Sequence, residues 1–309
     1  MSPDQGNFQG SADSTGSGEG SNPSRFARCI EFGLQPLLIT LALGIWIAYP
    51  GNPAMFLFVL AGVQLLLAGL ESWIPARRDW QQPMRERMTN IAIVIVILVG
   101  TVVVAEIYQG VLAAPLADLR VAMHLDIWPT SWPLLLQIFL AFAIGEFILY
   151  WIHRAEHRWG WVWRLSGHGV HHSFKRLNAI NFGVNHPFET FLLVIPLVLT
   201  ELFFGAGKAA AGAAILGAVQ TGIVHSNLRL NARWIGLFFT TNEAHIRHHS
   251  VVLDESNTNY GCSSILWDRV FGTFGSGPVV EAGIGPSEPT LMEKIMMPFR
   301  EPADSVVAP

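Results

Sequence analysis

Apolar positions along this chain fall in long unbroken blocks, without the period of two of a half-buried strand. Six blocks stand out: about Ile30–Tyr49, Ala54–Trp73, Ile91 to about Ala114, Pro133–Ile152, Phe191–Phe204 and about Ala209–Val224. Pro50-Gly51-Asn52-Pro53 closes the first and Pro75 the second. A helix needs about 20 apolar residues to cross a bilayer, so the first four blocks are predicted membrane spans. The last two are shorter, and form a tight hairpin or dip into the bilayer without crossing. Ahead of the blocks, Met1 to about Ser24 is rich in Ser, Gly and Asp. It cannot bury enough apolar area to offset ordering and reads as a disordered tail. It lacks the basic start and apolar core of a signal peptide.

Composition agrees with a membrane protein. Of 309 residues, 51% are hydrophobic and 14% charged, against roughly a quarter charged in a soluble domain. The net charge of -4 and the absence of a basic face argue against nucleic acid. Cys29 and Cys262 are the only cysteines, which excludes a disulfide framework, iron–sulfur ligation and a Cys-rich zinc site. Positive charge then orients the spans. Arg25 and Arg28 precede span one; Arg77, Arg78, Arg85 and Arg87 lie between spans two and three. Arg154, Arg158, Arg164, Lys175 and Arg176 follow span four; Arg229, Arg233 and Arg247 follow span six. The other loops are nearly free of Lys and Arg, so both termini are expected in the cytoplasm. Trp159, Trp161 and Trp163 alternate with arginines there and suit the headgroup layer.

Nine of the 11 histidines fall in two windows on that side: His153, His157, His168, His171 and His172, then His225, His245, His248 and His249. His153 and His157 are spaced i, i+4, so a helix puts both rings on one face. His168-Gly-Val-His171-His172 and His245-Ile-Arg-His248-His249 are HxxHH triplets. Their first and third rings share a face, and the middle ring can reach a neighbouring position. Neutral imidazole is the commonest protein metal ligand. Nine are too many for one ion, and two ions with four or five nitrogens each is the natural count. Glu146, two helical turns before His153, is expected to accept from a ligand imidazole and orient it. Glu106 reads as a helix-pairing or snorkelling carboxylate. His186, ahead of Pro187, is a candidate lining residue, and His124 lies on the other side of the membrane.

His153-Arg-Ala-Glu156-His157 also fits HxxEH, a zinc-protease signature in which Glu156 would activate water. That mechanism leaves seven histidines unexplained. A histidine-lined metal transporter is a second alternative, but it needs polar groups through spans one to three, which have almost none.

The boxes resemble the fatty acid hydroxylase / sterol desaturase superfamily over about Phe142 to Thr273. Tyr150-Trp151-Ile-His153-Arg154-Ala-Glu-His157 looks like the first box, and Glu146 stands where an Asp is common. His168–Ser173 looks like the second box and His245–Ser250 the third. His186-Pro187-Phe-Glu189 is similar to the segment leading into the helical hairpin, and His225-Ser226-Asn227 to an extra ligand position on the returning helix. Asn259-Tyr260-Gly261 and Trp267–Thr273 resemble the closing signature; Asn257 replaces an Asp common before it. The resemblance implies an all-α polytopic membrane helical bundle with a cytosolic helical cap carrying a histidine-rich dinuclear metal site. The nine histidines would hold two iron ions, zinc being a possible substitute, with Glu146, Asn227 and His186 behind them. The expected domains are a tail over 1–24, N-terminal spans over 25–132, a catalytic domain over 133–280 and a C-terminal tail over 281–309.

The expected activity is O2-dependent hydroxylation or desaturation at an unactivated C–H of a lipid: a sterol, acyl chain, ether lipid or aminolipid headgroup. No haem, flavin or iron–sulfur motif supplies electrons, and the small residues at Gly205, Gly207 and Gly212 fit a membrane helix better than a dinucleotide loop. An external ferredoxin, cytochrome or reductase is therefore expected. Arg164, Lys175, Arg176 and Arg233 are candidates for its docking face.

Overall fold

The structure is a computed structural model that describes residues 25–231 and 234–300. The tail expected over 1–24 and Arg233 lie outside the described residues. Four described helices are long and apolar enough to cross a membrane: α1 (Arg25–Ala48), α2 (Pro53–Trp73), α3 (Met84–Ala122) and α4 (Leu134–Arg158). Proline sets several of their starts. Pro53 opens α2, where Asn52 accepts from the Ala54 amide at 3.0 Å. Pro83 and Pro133 stand just before α3 and α4. A proline there forfeits no helical hydrogen bond and presets φ. The third helix is 39 residues long, extending the expected block Ile91–Ala114 at both ends. The N-terminal flank, residues 84–90, is largely polar but helix-favouring, so the helix begins ahead of its apolar part, and it runs on past Pro115 to Ala122. Only 11% of its most apolar window is buried, which leaves most of its surface for lipid.

After α4 come α5 (Gly160–Ser166) and α6 (Gly169–His172), then α7 (Thr190–Leu193), α8 (Ile195–Val198) and a π-helical turn over Leu199–Phe203. The chain returns along α9 (Lys208–His225). The fifth and sixth apolar blocks thus form a hairpin. Pro196 and the π turn break its first limb, and left-handed Gly205 sits at its tip. The cap continues through α10 (Asn242–His248), α11 (Leu253–Ser256), α12 (Leu266–Phe271) and α13 (Leu291–Met296). Residues 281–300 of the expected C-terminal tail therefore carry a helix. Thr290 and Glu293 start it with a reciprocal capping box.

The core is built on α9, which packs against α4, α1 and α2. Its small residues permit close approach: a Cβ at Gly212 would meet Ile138 and Trp46 side chains at 2.7 to 2.8 Å. Leu216, Val219 and Ile223 face Leu38, Ala42, Leu67 and Phe142 in one buried cluster. Polar contacts tie the N-terminal helices to the rest. Gln35 donates to Gln220 at 3.0 Å, and Gln220 donates to the Thr240 carbonyl at 2.6 Å. Glu71, buried near the end of α2, accepts the Ala179 amide at 2.6 Å and the Asn227 amide at 3.0 Å. Those amides follow His172 and His225 closely, so α2 holds down the segments beyond both.

Candidate metal centre

Each histidine arrives on an element with a physical reason to hold it. His153 and His157 occupy the last two turns of α4. Gly167, in the left-handed conformation, ends α5 and turns the chain back. His168 precedes α6, and His171 and His172 lie in it. His225 ends α9; His245 and His248 lie in α10 and His249 follows. All nine are at most 6% exposed.

The rings gather into two groups. His153, His157, His168, His172 and His248 form one, and His171, His225, His245 and His249 the other; within each group one nitrogen per ring lies within 4.8 Å of the rest. The triplets are divided between the groups by helical geometry. His168 and His172, four apart, join the first group, and His171 points into the second. His245 and His249, four apart, join the second, and His248 points into the first. Adjacent residues on a helix diverge by about 100°, so a pair at i+3 and i+4 can serve two centres at once. His172 and His249 stack at 4.4 Å between ring centres and join the two groups.

In the first group the nitrogens meet without donors between them. His153 Nε2 lies 2.9 Å from His248 Nε2 and 3.0 Å from His168 Nε2; His157 Nε2 lies 3.1 Å from His172 Nε2. On the outer side, His153 Nδ1 donates to the Tyr260 carbonyl at 2.6 Å and His248 Nδ1 to the Thr258 carbonyl at 2.9 Å. A carbonyl only accepts, so the proton of these rings is on Nδ1 and Nε2 carries a lone pair. Burial, and then neighbouring imidazoles, hold His168, His171, His172, His245, His248 and His249 well below the ordinary histidine pKa. Facing lone pairs on neutral rings repel unless a cation lies between them. The two groups are suited to a pair of divalent metal ions.

A shell of acceptors fixes the rings. Glu189 Oε1 accepts from His168 Nδ1 at 2.8 Å, and Glu156 Oε2 lies 3.6 Å from the same nitrogen. Burial, then Glu156, pushes the Glu189 carboxyl well above the usual range. Asn257 Oδ1 meets His157 Nδ1 at 3.3 Å, and the Thr221 carbonyl accepts from His225 Nδ1 at 2.8 Å. The closing signature builds the loop behind His153. Asp268 accepts the Tyr260 and Gly261 amides, both at 2.8 Å. A Cβ at Gly261 would run into the Ser264 carbonyl.

Several expectations are corrected. Glu146 touches no ligand ring; it accepts the Ser263 and Ser264 amides at 3.3 and 2.9 Å. Seven residues put it on the His153 face but about 10.5 Å away along the helix. Its effect on His153 runs through the loop carrying Tyr260. Asn227 does not back a ligand either: it exchanges hydrogen bonds with Arg77, 2.9 Å from its amide and 2.8 Å to its carbonyl. His186 has both nitrogens engaged, accepting from the Phe188 amide at 3.1 Å and donating to the Ile295 carbonyl at 3.2 Å. Glu156 faces His168 Nδ1, away from the converging Nε2 atoms, so it is misplaced for the water-activating role of an HxxEH protease. Trp159 and Trp161 are exposed, but Trp163 is buried edge-on against His157 and His168. Of the candidate docking residues, Lys175 pairs with Glu281 and Arg176 with Glu86, both at 2.8 Å. Glu189 was visible only as part of the His186-Pro187-Phe-Glu189 segment, with nothing to mark it as a partner of His168.

Residues 138–273 match the fatty acid hydroxylase family. Ornithine lipid hydroxylase OlsE of Rhizobium tropici is 30% identical over 268 residues, 82% of this chain and 78% of its own length. Lathosterol oxidase of Rattus norvegicus is 29% identical over 154 residues, 48% of each chain. Alkylglycerol monooxygenase of Danio rerio is 28% identical over 150 residues, 48% of this chain and 31% of its own. The chain thus spans about half or less of the last two. No solved structure matches it significantly. The matches and the paired histidine groups define a membrane-embedded oxidoreductase of the di-iron hydroxylase and desaturase type, a class that acts on lipids. The chain belongs to the fatty acid hydroxylase / sterol desaturase superfamily.

Proposed function

We propose that this chain is an iron- and O2-dependent hydroxylase of a membrane lipid, with residues 133–280 as its catalytic domain. His153, His157, His168, His172 and His248 hold one iron, and His171, His225, His245 and His249 the other. The observation that carries the reading is the convergence of nine buried imidazoles in two adjoining groups. Iron is favoured over zinc because five nitrogens in one group exceed the four that zinc usually takes in a closed site. Zinc can still occupy such rings. Likeness to an ornithine lipid hydroxylase over 78% of its length favours an aminolipid substrate.

Two iron ions so held would supply the activation of O2 that oxidation of an unactivated C–H bond needs. The balance is R–H, O2, two electrons and two protons in, R–OH and water out. The histidines supply neutral donors, and the Tyr260, Thr258 and Thr221 carbonyls with Glu189 fix the angle of each ring. Burial of every ring keeps bulk water from the reaction. The electrons come from a separate ferredoxin, cytochrome or reductase. The arginine distribution supports a cytoplasmic position for the centre and both termini.

Lipid mass spectrometry of cells with and without the gene, grown under 18O2, tests this. A gene-dependent lipid carrying one added 18O is expected. Loss of two hydrogens without oxygen would change the reading to desaturation, and no lipid change would overturn it.

A further inference from the structure

Behind the first histidine group a file of aromatic rings runs out to the surface. Tyr260 faces three rings of that group, its centre 6.0 Å from His153, 5.5 Å from His157 and 5.9 Å from His248. The next ring is Tyr150, 6.0 Å from Tyr260 and turned 79° to it. Tyr150 in turn meets Trp151 edge to face at 5.4 Å. These are ordinary separations for aromatic pairs in contact. Tyr150 is 1% exposed and Tyr260 6%, whereas Trp151 is 42% exposed. The file therefore joins a buried metal position to the outside. Phenol and indole are among the side chains that lose a single electron most readily.

Tyr150 also has a route for its proton. Arg154 Nη1 donates to the Tyr150 hydroxyl oxygen at 3.0 Å. Thr273 Oγ1 lies 3.0 Å from the same oxygen and donates its own proton to Asp268 Oδ1 at 2.7 Å. A hydroxyl has one proton to give, so Tyr150 donates to Thr273. Phenol, threonine hydroxyl and carboxylate thus stand in a relay. Asp268 is fully buried, and burial lifts its carboxyl above the usual range, which suits a group that takes up a proton. A buried phenol gives up an electron far more easily when its proton can leave with it, since an uncompensated charge is costly there. The ring file and the proton relay cross at Tyr150.

We propose that Tyr150 is a redox-active residue that carries oxidising equivalents, one at a time, from the first metal position to the surface at Trp151. Tyr150 gives one electron, across the Tyr260 ring, to the metal centre that O2 has oxidised. That centre is reduced by one electron, and the phenol becomes a neutral tyrosyl radical. The phenol proton passes to Thr273 and the threonine proton to Asp268. An electron from an external one-electron donor, entering through Trp151, restores the phenol as both protons return. The route discharges the oxidant when no lipid C–H is in place. Its metal-linked half rests on the hydroxylase reading, and its surface half does not.

Freeze-quench electron paramagnetic resonance of the iron-loaded full chain, free of lipid and treated with hydrogen peroxide, tests the metal-linked half. A tyrosyl signal is expected in the wild type. It should be lost in Tyr150→Phe and form more slowly in Thr273→Val, with iron content unchanged in both. The surface half is read in the zinc-substituted chain, whose metal is redox-silent. That chain carries Tyr49→Phe, because Tyr49 is 58% exposed. Flash oxidation with ruthenium tris-bipyridine and persulfate should give the same signal, again lost in Tyr150→Phe and weakened by Trp151→Leu. A signal of wild-type strength in Tyr150→Phe would overturn the proposal, and an unchanged rate in Thr273→Val would overturn the proton route. An iron-loaded chain that hydroxylates lipid but forms no Tyr150-dependent radical would also overturn the proposal, and would leave the hydroxylase reading standing. A Tyr150-dependent radical in the zinc chain, with no lipid product from the iron chain, would keep the surface half and remove the hydroxylase reading.

Discussion

Of the five rings around His153, four have Nδ1 tied to an acceptor: the Tyr260 and Thr258 carbonyls, Glu189 and Asn257. Of the four around His225, one does, through the Thr221 carbonyl. Nδ1 of His245 and His249 is buried without a hydrogen-bond partner, and His171 has only the Asn185 side chain beside it. Outer contacts of this kind lock the tautomer and orientation of a metal-binding imidazole and raise its basicity. The first group is therefore preorganised, while the second can reorient at lower cost. Ions held by the proposed ligand sets would therefore be gripped more firmly in the first group than in the second.

The comparison can be broken in graded ways. The largest effect is expected from removing a ring of the first group: His153→Ala or His248→Ala should abolish lipid oxidation and lose that group's ion, read by product and iron assays. Glu189→Ala should weaken iron at the first group by about 10- to 100-fold. Glu189→Gln should restore most of it, since an amide oxygen still accepts from His168; equal damage by both variants would mean the carboxylate charge matters more than the anchor. Glu71→Ala strips the acceptor from two buried amides, one beyond each group. It should cost about 1–3 kcal/mol per amide, read as a lowered Tm with iron stoichiometry retained. Acidity gives a separate test, on the metal-free protein. Six rings outside the spans have folded-state pKa values below the ordinary 6.5. The unfolded chain therefore binds more protons, and stability falls as pH drops below about 6.5. Tm measured from pH 7.5 down to 5.5 should decline, and a flat profile would contradict neutral, buried rings.

The histidines were legible because their message is spacing. The i, i+4 pairs and the middle ring of each triplet are a property of any helix, and the structure divides them between the two groups on that rule. Four spans were legible for the same reason, as apolar length is visible without tertiary knowledge. What anchors the rings was not. Tyr260, Thr258 and Thr221 act through backbone carbonyls, which carry no side-chain signature. Glu189 lies 21 residues from His168, a separation with no period. Glu146 misled because a shared helical face implies direction but not distance. Glu71 carries no spacing signal of its own, and only the fold brings Ala179 and Asn227 to it. The helix over Leu291–Met296 hid in a stretch too short and mixed to show periodicity.

Iron counted per chain, in the wild type and in a His171→Ala/His245→Ala double variant reconstituted anaerobically with Fe(II), tests the two-group arrangement most directly. Two irons are expected in the wild type, with the ion of the second group leaving first under a chelator, and one tightly held iron in the variant. A single iron in the wild type, or the loss of both in the variant, would contradict two separately anchored metal positions.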